Sequence, residues 1–300
     1  MKIVKYIGGL GNQMFIYAFS VALRETFKQE IFVDTHYYQS HSFHNGLEIE
    51  RIFGVKLKEA RLWDKLRLSW YFPNYWIDFH LLKYLPKRKG TVKELYGGKV
   101  NLCLLGDASD KLYDGFWQSY EYFDRYKTVI QDELTFPEIR PNDAKNFRLS
   151  KDLKEDTVSV GIHIRRGDYL KNWKYRGLCG VEYYRNAIAY MKGKVENPRF
   201  YLFSDDIPWV EEHIYPLLEG FEVTVINWNH KENSFKDMQL MSMCKNLIIA
   251  NSSFSWWAAY LAKEVQIVVA PEKWINSPQK FVIQCADLSL IHISEPTRLR

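Results

Sequence analysis

Features typical of secreted, metal-binding and membrane-spanning proteins are scarce in this sequence. Its 300 residues include four cysteines, and none lies in a Cys-x-x-Cys pair or near a histidine that could share a metal. This pattern predicts reduced, mostly buried thiols rather than disulfides or a zinc site. No run approaches the roughly 18 apolar residues of a membrane span, so stable membrane insertion is not expected. The cysteines are Cys103, Cys179, Cys244 and Cys285.

A strong excess of charge of one sign is also missing. Lysine and arginine number 41 against 36 aspartates and glutamates, which leaves a net charge of +5 spread along the chain. Such a diffuse excess suits a small anionic substrate, but it does not form the concentrated basic surface of a nucleic-acid-binding protein. The polar glycine turn at 8–13 interrupts the apolar N-terminal stretch, which argues against a signal peptide and favours a cytoplasmic protein.

Strand patterns alternate with helical patterns along most of the chain. Pro137, Pro141 and the polar stretch through Asp156 indicate a linker, so we place the domains at 1–150 and 151–287. The alternation predicts an α/β fold with parallel sheets, organised as two Rossmann-like halves. Strands are predicted at 2–7, 157–164, 200–203, 222–226, 246–250 and 265–270, and helices after the glycine turn and at 181–191, 236–244 and 255–263.

A charged turn follows the predicted strand 157–164. Its sequence is His163-Ile-Arg165-Arg166-Gly167-Asp168-Tyr169, and strand alternation places His163 and Arg165 on one face. Ligands of parallel α/β sheets bind at the carboxyl ends of strands, where a guanidinium offers forked donors to a pyrophosphate. Arg165 is therefore a candidate anion-binding residue, and Asp168 a candidate to orient an arginine or cap the next segment. A plain surface ion pair explains the same motif and, on this motif alone, is favoured.

A turn rich in hydroxyl groups follows the apolar segment 246–250. Serine hydroxyls and backbone N–H groups at the start of a helix form an anion site, although a plain serine N-cap explains part of the pattern. The residues of this turn are Asn251, Ser252, Ser253, Phe254 and Ser255.

The first predicted strand ends in a glycine turn, Gly8-Gly9-Leu10-Gly11-Asn12-Gln13. It has the spacing of neither the P-loop nor the dinucleotide fingerprint. Gly9 and Gly11 allow close approach of the backbone to a ligand, and Asn12 adds an amide.

Two adjacent acids, Asp205 and Asp206, follow the predicted strand 200–203. A hard cation needs more oxygen ligands than this pair supplies. A helix cap, or a hydrogen bond to substrate or to an arginine, is favoured over a metal site, and no metal or cofactor is predicted.

Taken in order along the chain, these segments resemble the α-1,2-fucosyltransferase family, glycosyltransferase family 11. Each match is modest by itself, but the ordered set, from residue 5 to about 275, is specific. The matching segments are Gly8–Phe15, Gly115–Ser119, His163–Tyr169, Phe203–Asp206, Asp237–Cys244 and Asn251–Trp257.

The resemblance implies a GT-B-type fold, with the two halves facing across a cleft. It also implies inverting, metal-independent transfer of L-fucose from GDP-β-L-fucose to the 2-hydroxyl of a galactose-terminated oligosaccharide. Residues 1–150 would form the acceptor side and 151–287 the GDP-fucose side. By similarity, Arg165 contacts the β-phosphate, His163 the nucleotide and Asp237 the guanine, while Ser252, Ser253 and Phe254 surround the phosphates and Asn12 lies near the fucose and acceptor.

Three points stay open at the level of sequence. Asp168 and Asn12 are candidates for a general base on chemical grounds alone. An α-1,6 or protein-directed fucosyltransferase, or a catalytically silent nucleotide-sugar or glycan-binding protein, are the alternatives to the α-1,2 enzyme. Residues 288–300 resemble the in-frame translation of a transposase sequencing adaptor, which predicts a non-native tail.

Overall fold

The chain forms two compact units, Met1–Pro137 and Glu138–Arg300, in a computed structural model. The structure describes residues 1–40, 45–72, 77, 80–81, 84–86, 88–94, 100–276 and 290–293. Each unit contains its own parallel β-sheet, and this confirms the predicted α/β class with two Rossmann-like halves.

The first unit is built on a five-stranded sheet in the order β3-β2-β1-β5-β4, with all neighbours parallel. The order reverses between β1 and β5, so loops after these two strands meet at one edge. The strands are β1 (Lys2–Lys5), β2 (Ile31–Asp34), β3 (Lys58–Glu59), β4 (Thr91–Lys93) and β5 (Lys111–Asp114). The helices are α1 (Leu10–Phe27), α2 (Tyr37–Ser40), α3 (Ile49–Phe53), α4 (Leu62–Leu68) and α5 (Lys127–Glu133).

Among the described elements of this unit, helix α1 contributes the largest share of the buried core. It begins at Leu10, earlier than the predicted start after residue 13, so residues 11–13 lie in its first turn. It ends where Lys28 adopts a left-handed conformation, with φ of 49°. Phe15 and Phe19 are fully buried, four residues apart on one face, and Phe19 stacks on Trp117 at 4.2 Å between ring centroids. The helix is therefore fixed against the segment that follows β5.

The second unit has a six-stranded parallel sheet in the order β11-β10-β9-β6-β7-β8. This is the strand order of dinucleotide-binding folds, and it reverses between β6 and β9. The strands are β6 (Ser159–Ile164), β7 (Arg199–Ser204), β8 (Val223–Ile226), β9 (Asn246–Ile248), β10 (Ile267–Pro271) and β11 (Leu290–Ile293). The helices are α6 (Ala144–Glu155), α7 (Val181–Lys192), α8 (Ile207–His213), α9 (Phe235–Met241) and α10 (Ser253–Leu261).

Strand β6 lies at the centre of this sheet and is buried along its whole length. Val160, Ile162 and Ile164 are fully buried, and Tyr183 and Tyr184 of α7 pack with them in one core cluster. The sequence SVGIHI places these three apolar side chains on one face of the strand, and Ser159, Gly161 and His163 on the other. The rigid strand fixes the position of the charged turn that follows it.

The elements predicted in the second half are confirmed, but the predicted linker is wrong. Residues 144–155 form helix α6, in which Leu149 and Leu153 are buried four residues apart on the apolar face. The division between the units falls after Pro137, so this helix, including residue 150, belongs to the second unit. The proline-containing, polar composition obscured a short amphipathic pattern.

The C-terminal segment contributes one strand. Leu290–Ile293 pairs in parallel with Val268–Pro271 of β10. An apolar run can pair with an exposed parallel edge whatever its origin, so the assignment of 288–300 as a non-native tail stays a prediction. The rest of that tail lies outside the described residues.

The described cysteines are free thiols, as predicted, but only Cys244 is fully buried. Cys179 is half-buried and Cys103 is exposed, so the prediction of mostly buried thiols is wrong for Cys103. Cys285 lies outside the described residues. Within the described part of the chain, no helix combines the length and apolar character needed to cross a bilayer.

Candidate functional site

The residues predicted for donor binding follow the two strands at which the order of the second sheet reverses. Strand β6 ends at Ile164 and is followed by the charged turn 165–169, and β9 ends at Ile248, close before the turn 251–255. The two strands are direct neighbours, with Gly161 opposite Leu247. The crevice at such a reversal is the usual ligand site of a doubly wound sheet.

Arg165 is held between two carboxylates. One terminal nitrogen lies 2.8 Å from Asp168 Oδ1 and the other 2.9 Å from Asp205 Oδ2. The Asp168 side chain is 59% exposed, whereas Asp205 is 26% exposed. A solvent-exposed carboxylate contributes less to an ion pair than a partly buried one, so Asp205 is the more firmly held partner of Arg165. The predicted contact between an arginine and this acidic pair is confirmed.

The second arginine has a structural environment of its own. Arg166 Nε lies 3.0 Å from Asp206 Oδ2, and its guanidinium lies 4.0 Å from the centroid of the Trp209 ring. Asp206 also caps α8 by accepting a hydrogen bond from the Trp209 backbone N–H. The predicted helix cap is therefore confirmed, and Arg166 is fixed to it.

Gly167 packs closely against Asp205. A Cβ at this position would lie 2.7 Å from Asp205 Oδ2, the oxygen that binds Arg165. Any side chain here would push the carboxylate away from the arginine. The glycine of the motif thus preserves an ion pair.

Tyr169 links the two turns. Its hydroxyl donates a hydrogen bond to the backbone carbonyl of Asn251 at 3.2 Å, and the Arg165 guanidinium lies 5.7 Å from the centre of its ring. Burial raises the pKa of the Tyr169 hydroxyl well above its usual range, so it stays protonated and remains a donor. The tyrosine fixes the separation between the arginine and the serine-rich turn.

The serine-rich turn begins helix α10. Ser252 is the N-cap, and its hydroxyl accepts a hydrogen bond from the Phe254 backbone N–H at 3.3 Å. Asn251 and Ser255 are buried: the Asn251 amide donates to the Trp274 carbonyl and the Ser255 hydroxyl donates to carbonyls of the turn. These two side chains shape the turn, whereas Ser253 and Phe254 are only partly buried and can touch a ligand.

His163 is buried beside this turn. Its ring lies 5.7 Å from that of Phe254, and its Nδ1 has no hydrogen-bond partner among the described residues. Burial, with the nearby Arg165 charge, lowers the pKa of His163 to about 3. The imidazole is therefore neutral at physiological pH and offers a polar nitrogen to a bound group rather than a charge.

Asp237 lies in the first turn of α9, at the same edge of the sheet. Its Oδ1 accepts a hydrogen bond of 2.7 Å from Asn229, which is fixed in turn by a reciprocal amide pair with Asn146. Burial raises the pKa of Asp237 to about 7. Among the described residues no ion pair neutralises this carboxylate, because the adjacent Lys236 binds Asp143 at 2.7 Å.

The glycine turn of the first unit presents Asn12. Gly9 is the N-cap of α1, and its carbonyl accepts from the backbone N–H groups of Asn12 and Gln13. The Asn12 Oδ1 accepts a hydrogen bond of 2.6 Å from Gln118 Nε2. This contact joins the segment after β1 to the segment after β5, at the reversal of the first sheet. Gly11, beside Asn12, is buried.

Sequence reasoning placed the donor-side residues on the correct strands but missed three connections. Tyr169 lay within the motif without an assigned role. Gln118, which binds Asn12, and Glu94, which accepts hydrogen bonds from the Phe116 and Trp117 backbone N–H groups, were not given a role either. The available signal for Gln118 was its place in the Gly115–Ser119 match. The substrate contacts assigned to the individual residues stay predictions. Among the described residues, no group of three or more His, Cys, Asp or Glu side chains is arranged to hold a metal ion.

Comparison with known proteins gives a consistent picture. The family described as "Glycosyl transferase family 11" matches residues 62–287. An "Alpha-1,2-colitosyltransferase" of Escherichia coli is 34% identical over 288 residues, which cover 91% of this chain and 92% of the relative. The "O-antigen biosynthesis glycosyltransferase WbnK" of the same species is 31% identical over 91% of this chain and 94% of its own.

Similar solved structures include fucosyltransferases. The fucosyltransferase NodZ from Bradyrhizobium matches with a TM-score of 0.52 and 16% identity, over 90% of this chain and 94% of the other. A crystal of NodZ α-1,6-fucosyltransferase grown with GDP matches with a TM-score of 0.52 and 15% identity, over the same shares. This likeness confirms the predicted GT-B-type fold class.

Proposed function

The chain belongs to glycosyltransferase family 11, and on that premise we propose that it is an α-1,2-fucosyltransferase. It transfers L-fucose from GDP-β-L-fucose to the 2-hydroxyl of a terminal β-galactoside, with inversion at the anomeric carbon. The observation that carries the proposal is Arg165, held beside the serine-rich turn at the reversal of the second sheet.

The leaving group defines what such a site must do. As the bond between the anomeric carbon and the β-phosphate oxygen breaks, negative charge accumulates on GDP. A preorganised guanidinium and the N–H groups at the start of α10 stabilise that charge without a metal. The 2-hydroxyl oxygen bonds to the anomeric carbon from the opposite face as the bond to the β-phosphate oxygen breaks, and its proton passes to water, so a β-linked donor gives an α-linked product and GDP. Because bond breaking runs ahead of attack, the demand for a strong base is small.

Asp168 fits a positioning role better than that of a base. It occupies one side of the Arg165 guanidinium while Asp205 occupies the other. A β-phosphate entering the site would take the place of the exposed Asp168, which leaves Arg165 anchored by Asp205 and bound to GDP. Asp168 then keeps the arginine extended in the free enzyme.

Guanine, the nucleobase of the donor, binds on the Asp237 side of the site. Guanine offers adjacent N1–H and N2–H donors, and a carboxylate accepts both in a bidentate arrangement. Asp237 is prearranged by Asn229 and is not neutralised by the neighbouring Lys236. We assign guanine recognition to this carboxylate, and the contacts of His163, Ser253 and Phe254 to the rest of the nucleotide.

A second donor is favoured by one comparison. The E. coli relative at 34% identity is named an α-1,2-colitosyltransferase, and colitose is L-fucose without its 3-hydroxyl. A GDP-linked colitose would present the same nucleotide and the same anomeric centre, so the nucleotide contacts proposed above would serve either donor. The α-1,6 alternative has less support, because the NodZ likeness at 15–16% identity concerns the fold alone.

The decisive experiment is a transfer assay with GDP-fucose and GDP-colitose, using lactose as acceptor and NMR of the product. We expect an α-1,2 linkage to galactose, unchanged by a chelator. Arg165→Ala should lower kcat by about 100-fold or more, as removal of one transition-state charge contact does. The control Arg185→Ala changes an exposed arginine of α7 and should leave kcat unchanged.

Two outcomes would overturn the proposal. Full activity of Arg165→Ala would refute the role of Arg165 in stabilising the leaving group. Absence of GDP release with every galactoside would refute the proposed transferase activity. Asp168→Asn separates the two roles of that residue: a positioning role predicts GDP affinity equal to or above wild type, whereas a base role predicts loss of kcat with unchanged affinity.

A further inference from the structure

Glu94 lies at the carboxyl end of β4, beside the turn that follows β5. Its Oε2 accepts hydrogen bonds from the backbone N–H groups of Phe116 and Trp117, at 2.8 and 2.6 Å. The side chain of Glu94 also occupies the space where a Cβ of Gly115 would stand, so only glycine fits there. One carboxylate thus holds the start of this turn.

Trp117 holds the same turn from the other side. The residue adopts a left-handed conformation with φ of 54°, which is unfavourable for a bulky side chain. Its ring is fully buried and stacks on Phe19 of α1. The two N–H groups bound by Glu94 and the buried ring together stabilise a conformation that the backbone would not adopt alone.

Gln118 follows directly in this fixed turn. It is 8% exposed, and its Nε2 donates to Asn12 Oδ1 at 2.6 Å. An asparagine amide rotates freely unless its oxygen and nitrogen are distinguished by partners. The donor from Gln118 selects one orientation, in which Oδ1 faces Gln118 and Nδ2 lies over Gly8.

We propose that Glu94 and Gln118 are positioning residues that orient the Asn12 amide for the acceptor side of the reaction. This inference rests on the proposed function, which places Asn12 near the fucose and the acceptor. The chain of contacts runs from the Glu94 carboxylate through the 115–118 turn to Gln118 and then to Asn12. All of it lies in the first unit, where loops after β1, β5 and β4 share one edge of the sheet.

The chemistry at Glu94 is hydrogen-bond acceptance rather than charge. Burial raises the pKa of this carboxyl group, although the two backbone N–H groups act in the opposite direction. A glutamine at this position still presents one oxygen to both N–H groups and fits the same space. A methionine has the same length but accepts weakly, so the two variants form a matched pair.

The test compares Glu94→Gln, Glu94→Met, Gln118→Met, Asn12→Ala and the double variant of Gln118 and Asn12. We expect Glu94→Gln to stay within about threefold of wild type, and Glu94→Met and Gln118→Met to lose about tenfold in kcat/KM for the acceptor. The KM for GDP-fucose should not change. Gln118→Met should have no further effect in the Asn12→Ala background, because its role acts through that amide.

Hydrogen exchange supplies a readout that does not depend on activity. The amides of Phe116 and Trp117 should exchange faster in Glu94→Met than in wild type, and at the wild-type rate in Glu94→Gln. A double-mutant cycle for Gln118 and Asn12 in thermal stability should show coupling between the two side chains.

Additive effects of Gln118→Met and Asn12→Ala on kcat/KM would overturn the proposal. A rise in the KM for GDP-fucose as large as the loss in kcat/KM for the acceptor would also overturn it, because that would indicate general damage to the fold. A wild-type protein inactive on every galactoside would refute the proposed function instead. The stability cycle would then still decide whether the contact between Gln118 and Asn12 exists, and absence of coupling would refute it.

Discussion

Binding of GDP should depend on the protonation of Asp237. Burial raises the pKa of this group to about 7 in the unliganded protein, and no described cation forms an ion pair with it. Only the ionised carboxylate accepts hydrogen bonds from both N1–H and N2–H of guanine. Raising the pH through 7 therefore converts the site from the non-binding to the binding form.

The size of the effect follows from the fraction that is ionised. With a pKa of about 7, roughly one eleventh of Asp237 is ionised at pH 6 and roughly ten elevenths at pH 8, so the apparent Kd for GDP should fall about tenfold across this range. At pH 7 about half a proton should be released for each GDP bound. Asp237→Asn should weaken binding at pH 8 by about 10- to 100-fold, the range for a charge-assisted hydrogen bond.

Isothermal titration calorimetry of GDP at pH 6, 7 and 8, in buffers of different ionisation enthalpy, measures both quantities. The terminal phosphate of GDP also titrates, near pH 6, so the Asp237→Asn profile serves as the baseline for the ligand. Asp152→Asn, which changes an exposed carboxylate of α6, is the control for general charge effects. It should reproduce the wild-type profile.

The reasoning would be refuted if wild type and Asp237→Asn showed the same pH dependence. It would also be refuted if affinity fell as pH rose from 6 to 8, because that would make the protonated form the one that binds. An unchanged Kd for Asp237→Asn at pH 8 would exclude this carboxylate from the guanine contact.

Three further substitutions test the contacts that build the two units. Gly167→Ala should lower kcat and weaken GDP binding, because the added Cβ meets Asp205 Oδ2 at 2.7 Å and displaces the carboxylate from the arginine; calorimetry and the transfer assay measure this. Lys65→Met should reduce the free energy of unfolding by about 3–5 kcal/mol, since Asp34, bound at 2.7 Å and almost fully buried, would lose its partner. Asp206→Ala should reduce it by about 1 kcal/mol through loss of the α8 cap, as measured by urea unfolding.

The Lys65 prediction has a contrasting control. Lys58→Met removes an exposed ion pair with Glu30 and should change the free energy of unfolding by less than about 1 kcal/mol. If Lys65→Met were equally mild, the buried pair would not contribute as described. Wild-type GDP affinity in Gly167→Ala would show that the carboxylate and arginine tolerate the extra methyl group.

The strands of the second unit and the turns that follow them could be predicted from the sequence, because the local order of apolar and polar residues determines them. The segments 159–164 and 246–248 form buried parallel strands, and the polar turns after them fall at the carboxyl edge of one sheet. Helix α6 was missed because proline and charged residues around it concealed a short amphipathic stripe. The strands of residues 58–93 are two or three residues long and give too little periodicity to identify.

The sequence by itself determined the class of fold, the family and the strand ends at which Arg165 and the serine-rich turn lie. Only the tertiary structure decided how these residues act together. Tyr169 reaches Asn251, 82 positions away, and Arg165 is anchored by Asp205, which directly follows the neighbouring strand β7. The pKa of Asp237 depends on burial in the folded unit. Strand order and burial are properties of the assembled sheet, so spacing along the chain does not encode them locally.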